Sequence, residues 1–166
     1  IERELSADVV VTTGGSSVGE RDLLPAVVSE IGEIHVHGVG IKPGHPFGFG
    51  IVDETPIVML PGYPVSCVIT AVQFLRPVVK QIGGMPMPAF PQTEGQLADK
   101  LRSEPGIRSF VRVRMDEAGM VHRVMASGAG VLSSVTSADG WVVIPESREG
   151  IEKGETVMVE DWEWEP

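Results

Sequence analysis

The sequence predicts an α/β domain with a mostly parallel sheet, followed by a small all-β domain. Over residues 1–84, short β-branched runs alternate with helical patterns across glycine- and proline-rich turns, which is typical of a sheet covered by helices. Over residues 96–166, alternating strands and tight turns replace that pattern. Residues 85–95 contain Pro86, Pro88 and Pro91 and are predicted to form a stiff, extended linker.

The elements of the first domain follow from local patterns. Asp22 is a good N-cap and Gly32 a good stop for the first helix. Apolar runs without alternation predict buried strands, and alternating runs predict half-buried ones. The predicted strands are 8–13, 34–41, 47–52 and 56–60, and the predicted helices are 22–32 and 65–82.

The second domain is predicted from a hairpin. Residues 110–115 alternate strictly between apolar and polar, and the turn Asp116-Glu117-Ala118-Gly119 leads into a looser alternation over 120–125. Short strands are also predicted at 141–144 and 156–159.

Composition restricts the function classes. The 166 residues carry 13 Lys and Arg against 23 Asp and Glu, a net charge of −10, which disfavours nucleic-acid binding. A single cysteine, Cys67, excludes an internal disulfide and fits a reducing cytoplasm. No apolar run is expected to approach the roughly 20 residues of a membrane helix. No signal peptide is recognised. The chain starts at Ile1 without a methionine, so we expect a fragment of a longer protein.

The first candidate binding turn is Gly14-Gly15-Ser16-Ser17-Val18-Gly19-Glu20, followed by Arg21-Asp22. Small residues let the backbone approach a ligand, and the following helix N-terminus offers N–H groups to an anion. The alternative is a tight turn whose glycines only supply positive φ. The spacing matches neither a Walker A motif nor G-x-G-x-x-G.

Two further turns follow predicted strands. In Lys42-Pro43-Gly44-His45-Pro46, the lysine could neutralise an oxyanion and the histidine could donate a hydrogen bond; the alternative is a surface loop. In the turn over 60–66, Pro61 and Pro64 restrict the backbone around Gly62, and Ser66 enters the first turn of a helix. Simple N-capping by Ser66 is the alternative there.

The order of these turns resembles a known family. The strings TTGGSSVGERD, IKPGHPFGFG and LPGYPVSCV, followed by SFVRVR, SGAGVLSS and ADGWVVIP, are similar to molybdopterin molybdotransferases, the MoeA and gephyrin E-domain family. The resemblance runs from about residue 7 to residue 159. It implies a partial three-layer molybdopterin-binding domain over 1–84 and the C-terminal β domain over 96–166.

The resemblance also implies an activity. Members of this family insert molybdate into adenylylated molybdopterin with Mg²⁺, releasing AMP. They form elongated dimers and act on small anionic substrates, so we expect a homodimeric parent. The composition adds the expectation of a cytoplasmic protein without nucleic-acid or membrane partners. The active sites of the family borrow residues from the partner subunit, so we expect the full-length parent to be the enzyme and this chain alone to be inactive.

Site residues are implied position by position. The first loop (Gly14, Gly15, Ser16, Ser17, Gly19, Glu20 and Asp22) would face the pterin phosphate and nucleotide. Asp22 would act there and bind Mg²⁺, since that ion prefers a few carboxylate oxygens. An oxyanion pocket for molybdate would combine the catalytic Lys42 with Pro43, Gly44, His45, Pro46, Pro61, Gly62, Pro64, Ser66 and Arg108. The chemistry would be positioning and charge neutralisation.

Several positions depart from the family pattern. His45 stands where a second lysine is usual and Gly38 where a basic residue is common; Tyr63 replaces Asn, Ala129 replaces Ser and Ser16 replaces Val. Each charge-assisted hydrogen bond contributes about 1.5–3 kcal/mol, so two losses would weaken oxyanion binding by a factor of about a hundred or more. If His45 compensates when protonated, molybdate affinity should rise as the pH falls.

Three alternatives remain open. The departures suit a divergent protein that binds a pterin or nucleotide without transferring metal. The gephyrin branch makes a scaffold role possible. The first turn ends in Arg21-Asp22, which also suits a molybdopterin adenylyltransferase, although the β domain disfavours that activity.

Overall fold

The computed structural model describes residues 1–15, 23–87, 89–124 and 133–161. The chain divides into two compact units. The first comprises residues 1–39 and 44–87, and the second comprises residues 40–43 and 88–166. The boundaries predicted from sequence, 1–84, 85–95 and 96–166, stay predictions.

The elements are as follows. The strands are β1 (Val10–Thr13), β2 (Glu33–His37), β3 (Ile41–Lys42), β4 (Gly48–Val52), β5 (Thr55–Leu60), β6 (Gln92–Leu97), β7 (Leu101–Arg102), β8 (Arg108–Met115), β9 (Met120–Arg123), β10 (Gly140–Ile144), β11 (Gly150–Ile151) and β12 (Thr156–Asp161). The helices are α1 (Leu23–Ile31), α2 (Pro64–Thr70), α3 (Arg76–Ile82) and α4 (Ser133–Thr136), with a 3₁₀ turn at Glu2–Glu4 and a π-helical segment at Ala71–Leu75.

The sheet of the first unit has the order β1-β5-β4-β2 and is mixed. Strand β1 runs parallel to β5, whereas β4 is antiparallel to both β5 and β2. The predicted α/β class is confirmed, but the prediction of a mostly parallel sheet is wrong. Asp53 and Glu54 join β4 to β5 with φ values of 46° and 69°, and a connection of two left-handed residues produces an antiparallel hairpin.

Helices cover both faces of this sheet. On one face, α1 packs over a core that contains Val28, Val52, Ile57 and Met59. On the other face, Phe47, Val58 and Leu60 pack against apolar residues of the helical segment from Pro64 to Ile82. The ring centroids of Phe47 and Phe74 lie 4.4 Å apart in this contact. The first unit therefore has three layers, with β5 almost fully buried at its centre.

The strand predicted over 34–41 is divided in the structure. Strand β2 ends at His37, and Gly38 follows with φ 87°, a conformation that glycine adopts without strain. The chain then forms β3, which pairs with β8 in the second unit. The alternation across 34–41 is real, but its two ends belong to different sheets.

The helix predicted over 65–82 is confirmed as the continuous segment Pro64–Ile82. Pro77 has no N–H for a helical hydrogen bond, which fits the widened π turn just before it.

The helical segment Pro64–Ile82 is 19 residues long and has a mean hydropathy of 1.2, so it is long and apolar enough to cross a membrane. The expectation that no apolar run approaches this length was therefore wrong. The segment is a weak indication of a membrane span, because core helices of soluble proteins pass the same test and Val65, Ile69 and Val72 are buried here.

The second unit is built on a ring of strands. The order β10-β12-β6-β9-β8 returns to β10 through a β8–β10 pairing, so five strands close into a small barrel, and β3 adds to the start of β8. The predicted hairpin is confirmed as β8 and β9, with Met115 opposite Val121. The barrel interior is filled by Leu97, Leu101, Val113, Val121, Val142, Ile144, Ile151, Val157 and Val159.

Candidate functional site

Two of the three predicted turns meet in the first unit. Because β1 and β5 are parallel neighbours, their carboxyl ends lie side by side. The N–H of Gly14 donates to the carbonyl oxygen of Leu60 at 2.9 Å, and a Cβ added to Gly62 would lie 3.2 Å from the Gly14 Cα. Gly14 and Gly15 both have positive φ, 81° and 68°. The two turns therefore touch through bare backbone.

The rest of the first turn lies outside the described residues. Ser16, Ser17, Gly19, Glu20 and Asp22 fall there, so their predicted roles stay predictions. Across residues 1–15, 23–87, 89–124 and 133–161, no group of three or more His, Cys, Asp or Glu side chains could hold a metal ion. The Mg²⁺ site expected at Asp22 is thus untested by this structure.

The third turn leads directly into α2. Tyr63 is the N-cap, with an extended backbone and no side-chain capping bond, and Pro64 opens the helix. Ser66 is buried inside the first turn, where its carbonyl oxygen accepts the Thr70 hydroxyl at 2.8 Å. Ser66 is therefore not the N-cap, which removes the simple capping explanation for this serine.

The second turn fixes the orientation of His45. The Val39 N–H donates to the His45 carbonyl oxygen at 2.9 Å, and the His45 Nδ1 lies 2.7 Å from the Val39 carbonyl oxygen. A carbonyl oxygen only accepts, so Nδ1 carries the proton. The exposed ring then has Nε2 left for a ligand, and Nε2 donates a hydrogen bond only when the ring is protonated.

Lys42 and Arg108 lie on neighbouring strands of the second unit. The parallel register places Ile41 opposite Arg108 and Lys42 opposite Ser109, so the two basic side chains start from opposite faces of this ladder. Lys42 Nζ lies 2.5 Å from Glu104 Oε1. Arg108 Nε lies 3.0 Å from Glu146 Oε2. Each cation that was predicted to bind the oxyanion thus already has a carboxylate partner.

Sequence reasoning missed Arg112. This residue lies on β8 and is partly buried, and its Nε is buried with no hydrogen-bond partner among the residues that the structure describes. Burial lowers the pKa of the Arg112 guanidinium, and the nearby charge of Arg123 lowers the pKa further. A partly buried guanidinium whose Nε has no partner among the described residues is suited to an anionic ligand. The position of Arg112 between Val111 and Val113 could have marked it as a candidate site residue. The alternation over 110–115 was interpreted only as evidence for a strand.

Two other polar side chains lie near these turns, one on β1 and one in α2. Thr12 Oγ1, on β1 just before the first turn, is also buried without a partner among the described residues. Burial raises the pKa of the Cys67 thiol, which keeps the thiol neutral, and this side chain packs from α2 against the core of Phe47, Val58 and Leu60. The cysteine is therefore a packing residue rather than a nucleophile.

Comparisons with known proteins agree with the two-unit architecture. Residues 1–81 match the family model described as "Probable molybdopterin binding domain", and residues 94–162 match "MoeA C-terminal region (domain IV)". The chain belongs to the MoeA family. It is 41% identical over 152 residues to a protein of Methanocaldococcus jannaschii named for molybdopterin biosynthesis, and 32% identical over 165 residues to the molybdopterin molybdenumtransferase of Haemophilus influenzae.

A solved structure supports the same assignment. The crystal structure of a molybdopterin biosynthesis MoeA protein from Pyrococcus horikoshii superposes with a TM-score of 0.79 at 32% identity, covering 98% of this chain and 39% of that one. The two relatives by sequence are matched over 92% and 96% of this MoeA-family chain. The match spans only 36% and 41% of their own lengths.

Among the positions that depart from the family pattern, Tyr63 is exposed at the third turn, and Gly38 lies against the His45 ring. Ala129 and Ser16 lie outside the described residues.

Proposed function

We propose that the full-length protein inserts molybdate into adenylylated molybdopterin during molybdenum cofactor biosynthesis, releasing AMP. The observation that carries this proposal is the contact between the Gly14 and Gly62 turns at the carboxyl ends of two parallel strands. Ligands of open α/β sheets gather at such ends, and bare backbone allows a phosphate-bearing ligand to approach closely. This unit is accordingly proposed to bind the pterin phosphate and the nucleotide.

The second unit is proposed to supply positive charge for molybdate. Lys42, Arg108 and Arg112 are the basic residues proposed for this role. Lys42 lies on β3, Arg108 begins β8, and the Nε of Arg112 is buried without a partner among the described residues. Binding a dianion at fixed cations contributes positioning and charge neutralisation, which are the main requirements of this transfer. Asp22 is proposed as a Mg²⁺ ligand because its carboxylate is a hard oxygen donor; the ion would neutralise phosphate charge on the adenylylated substrate.

The parent protein is further proposed to be a cytoplasmic homodimer that acts on small anionic substrates without nucleic acid or membrane. The net charge of −10 supports the exclusion of nucleic acid, because the chain repels a phosphate backbone. The active site of the homodimer would include residues of both subunits, so we expect this chain alone to be inactive.

Calorimetry on the full-length parent tests the proposal. Molybdate and adenylylated molybdopterin are titrated into the wild type, Lys42→Ala and Lys100→Ala. Lys100 is the matched control, because it is an exposed lysine of the same unit that also pairs with a glutamate, Glu152. Loss of molybdate binding in Lys42→Ala alone supports the proposal. Equal binding by both variants would refute the role of Lys42.

A second candidate function is binding of the pterin or nucleotide without metal transfer. The specific observation in its favour is that Lys42 and Arg108 both hold carboxylates, while His45 replaces the usual lysine. Intact pterin binding with no molybdate binding would favour it. An assay of nucleotide transfer from ATP tests the adenylyltransferase alternative, and light scattering with candidate partners tests the scaffold alternative.

A further inference from the structure

Two glutamates form ion pairs with the two basic residues that are predicted to hold the oxyanion. Glu104 contacts Lys42 through one carboxylate oxygen at 2.5 Å. Glu146 contacts Arg108 through both oxygens, with Oε2 at 3.0 Å from Nε and Oε1 at 3.4 Å from Nη2. A carboxylate presents two oxygens to a cation, as a tetrahedral oxyanion does, so each glutamate fills the binding position with a comparable group.

The backbone holds both glutamates in place. The Gly106 N–H donates to the Glu146 carbonyl oxygen at 2.9 Å, and the Ile107 N–H donates to the Glu104 carbonyl oxygen at 3.2 Å. Glu146 also accepts a bond from its own backbone N–H, which, with Arg108, lowers the pKa of its carboxyl group. The glutamate beside Arg108 is therefore ionised and preorganised at neutral pH.

All four side chains are nevertheless open to solvent. Lys42 and Glu104 are 63% and 65% exposed, and Arg108 and Glu146 are 50% and 53% exposed. Exposed ion pairs contribute little stability and break easily. An incoming anion can therefore displace the glutamates without disturbing the barrel core. Arg112 differs, because its buried Nε has no partner among the described residues.

We propose that Glu104 and Glu146 are resident counter-ions of Lys42 and Arg108 that compete with the oxyanion and so set its affinity. This inference rests on the proposed function, since it assumes that the oxyanion binds at Lys42 or at Arg108. The two side chains start from opposite faces of the ladder, so each glutamate competes only at its own cation. Binding then exchanges one ion pair for another. The two glutamates are positioning residues. Each holds its basic side chain in an ion pair while the site is empty and forms that ion pair again when the anion leaves.

Calorimetric titration of molybdate into the full-length parent, at several salt concentrations, tests the inference with Glu104→Gln and Glu146→Gln. Removing the competing charge should tighten molybdate binding about two- to fivefold in the variant whose freed cation holds the oxyanion, in keeping with the small contribution of an exposed pair. The other variant should keep the wild-type affinity. The salt dependence of the tightened variant should also become steeper, because it forms a new ion pair where the wild type exchanges one for another. A residue that only stabilised the fold would change neither quantity in this direction.

Glu155→Gln is the matched control. Glu155 forms an exposed pair with Arg148 on the same unit, and both of its oxygens lie 3.0 Å from Nη2. Its replacement removes the same charge but frees neither Lys42 nor Arg108, so molybdate affinity should stay at the wild-type value.

The outcomes separate this inference from the proposed function. Unchanged affinity in Glu104→Gln and Glu146→Gln, with binding still abolished by Lys42→Ala, would overturn the counter-ion inference and leave the proposed function intact. Equal tightening in Glu155→Gln would also overturn it, since a general charge effect would explain the result. Absence of molybdate binding in the wild type and both variants, with pterin binding intact, would refute the proposed transfer and the inference together.

Discussion

The N–H of Gly14 donates a hydrogen bond to the carbonyl oxygen of Leu60 at 2.9 Å, one residue beyond the end of β1. This bond extends the parallel ladder into the two turns and holds them together. A Cβ added to Gly62 would lie 3.2 Å from the Gly14 Cα, closer than an ordinary contact, whereas a Cβ added to Gly14 would lie 3.8 Å from the Gly62 Cα. The turn geometry therefore favours glycine at 62 for space and at 14 for its positive φ.

Gly14→Ala should weaken pterin binding strongly while lowering stability only modestly. Its φ of 81° is left-handed, where a side chain costs about 1–2 kcal/mol. Gly84→Ala is the control, because Gly84 has φ 61° and open space around an added Cβ but lies in neither turn. Thermal unfolding and calorimetry with adenylylated molybdopterin measure both effects. Equal losses of binding in the two variants would contradict the role of the turn.

Arg112→Met should weaken molybdate binding about 10- to 100-fold without lowering stability, since one charge-assisted interaction is lost. Stability is expected to hold or rise, because the change removes a partly buried cation that is repelled by Arg123. Arg114→Met removes an exposed arginine from the same strand and should leave both quantities unchanged. A parallel loss of stability and binding in Arg112→Met would instead indicate a structural role.

The turn between β8 and β9 should loosen in acid. A hydrogen bond from His122 and bonds from the N–H groups of Met120 and Ala118 lower the pKa of Asp116. The folded-state pKa lies below the unfolded value, so the contribution of Asp116 is present at pH values above the unfolded pKa. It is lost as the pH falls through the folded pKa.

A carbon-detected NMR titration should therefore give Asp116 a midpoint below that of an ordinary aspartate. Asp116→Asn should remove this part of the acid sensitivity, whereas Glu117→Gln, an exposed neighbour in the same turn, should not. An ordinary midpoint for Asp116 would count against the contacts seen here.

Glu160→Ala should destabilise the barrel by about 1–3 kcal/mol, because a buried donor loses its acceptor. The Trp141 side chain is fully buried, and its Nε1 donates to Glu160 Oε2 at 2.7 Å. Glu160→Gln keeps an oxygen in place and should cost less. Denaturant unfolding and the indole N–H resonance measure the difference, and equal costs for the two variants would show that the hydrogen bond contributes little.

Local patterns predicted much of the fold. The alternation over 110–115 and the turn after it predicted the β8–β9 hairpin, and the apolar run over 65–82 predicted the long helix, because both signals lie within one short segment. The antiparallel pairing of β4 with β5 was missed because Asp53-Glu54 lacks the glycine that marks a two-residue hairpin. The separate strand β3 was missed because its partner, Arg108, is distant in sequence.

The candidate site was predictable only in part. The glycine-rich turns after β1 and β5 were predicted from sequence as binding turns. The structure brings their backbones together, and their binding roles stay predictions. The carboxylate partners of Lys42 and Arg108, and the absence of one for Arg112 among the described residues, depend on tertiary contacts that no spacing encodes. The distinction between the exposed Arg114 and the partly buried Arg112 likewise depends on tertiary packing.

The tetrapeptide Gly40–Pro43 groups with the barrel although residues on both sides of it group with the first unit. Dividing the gene at the proline-rich stretch near residue 88 would consequently yield a barrel without β3. The start of β8 would then be an unpaired edge open to association with other chains, and Glu104 would lack Lys42. A synthetic peptide spanning residues 38–45, added in trans, would be the natural complement for such a truncated product.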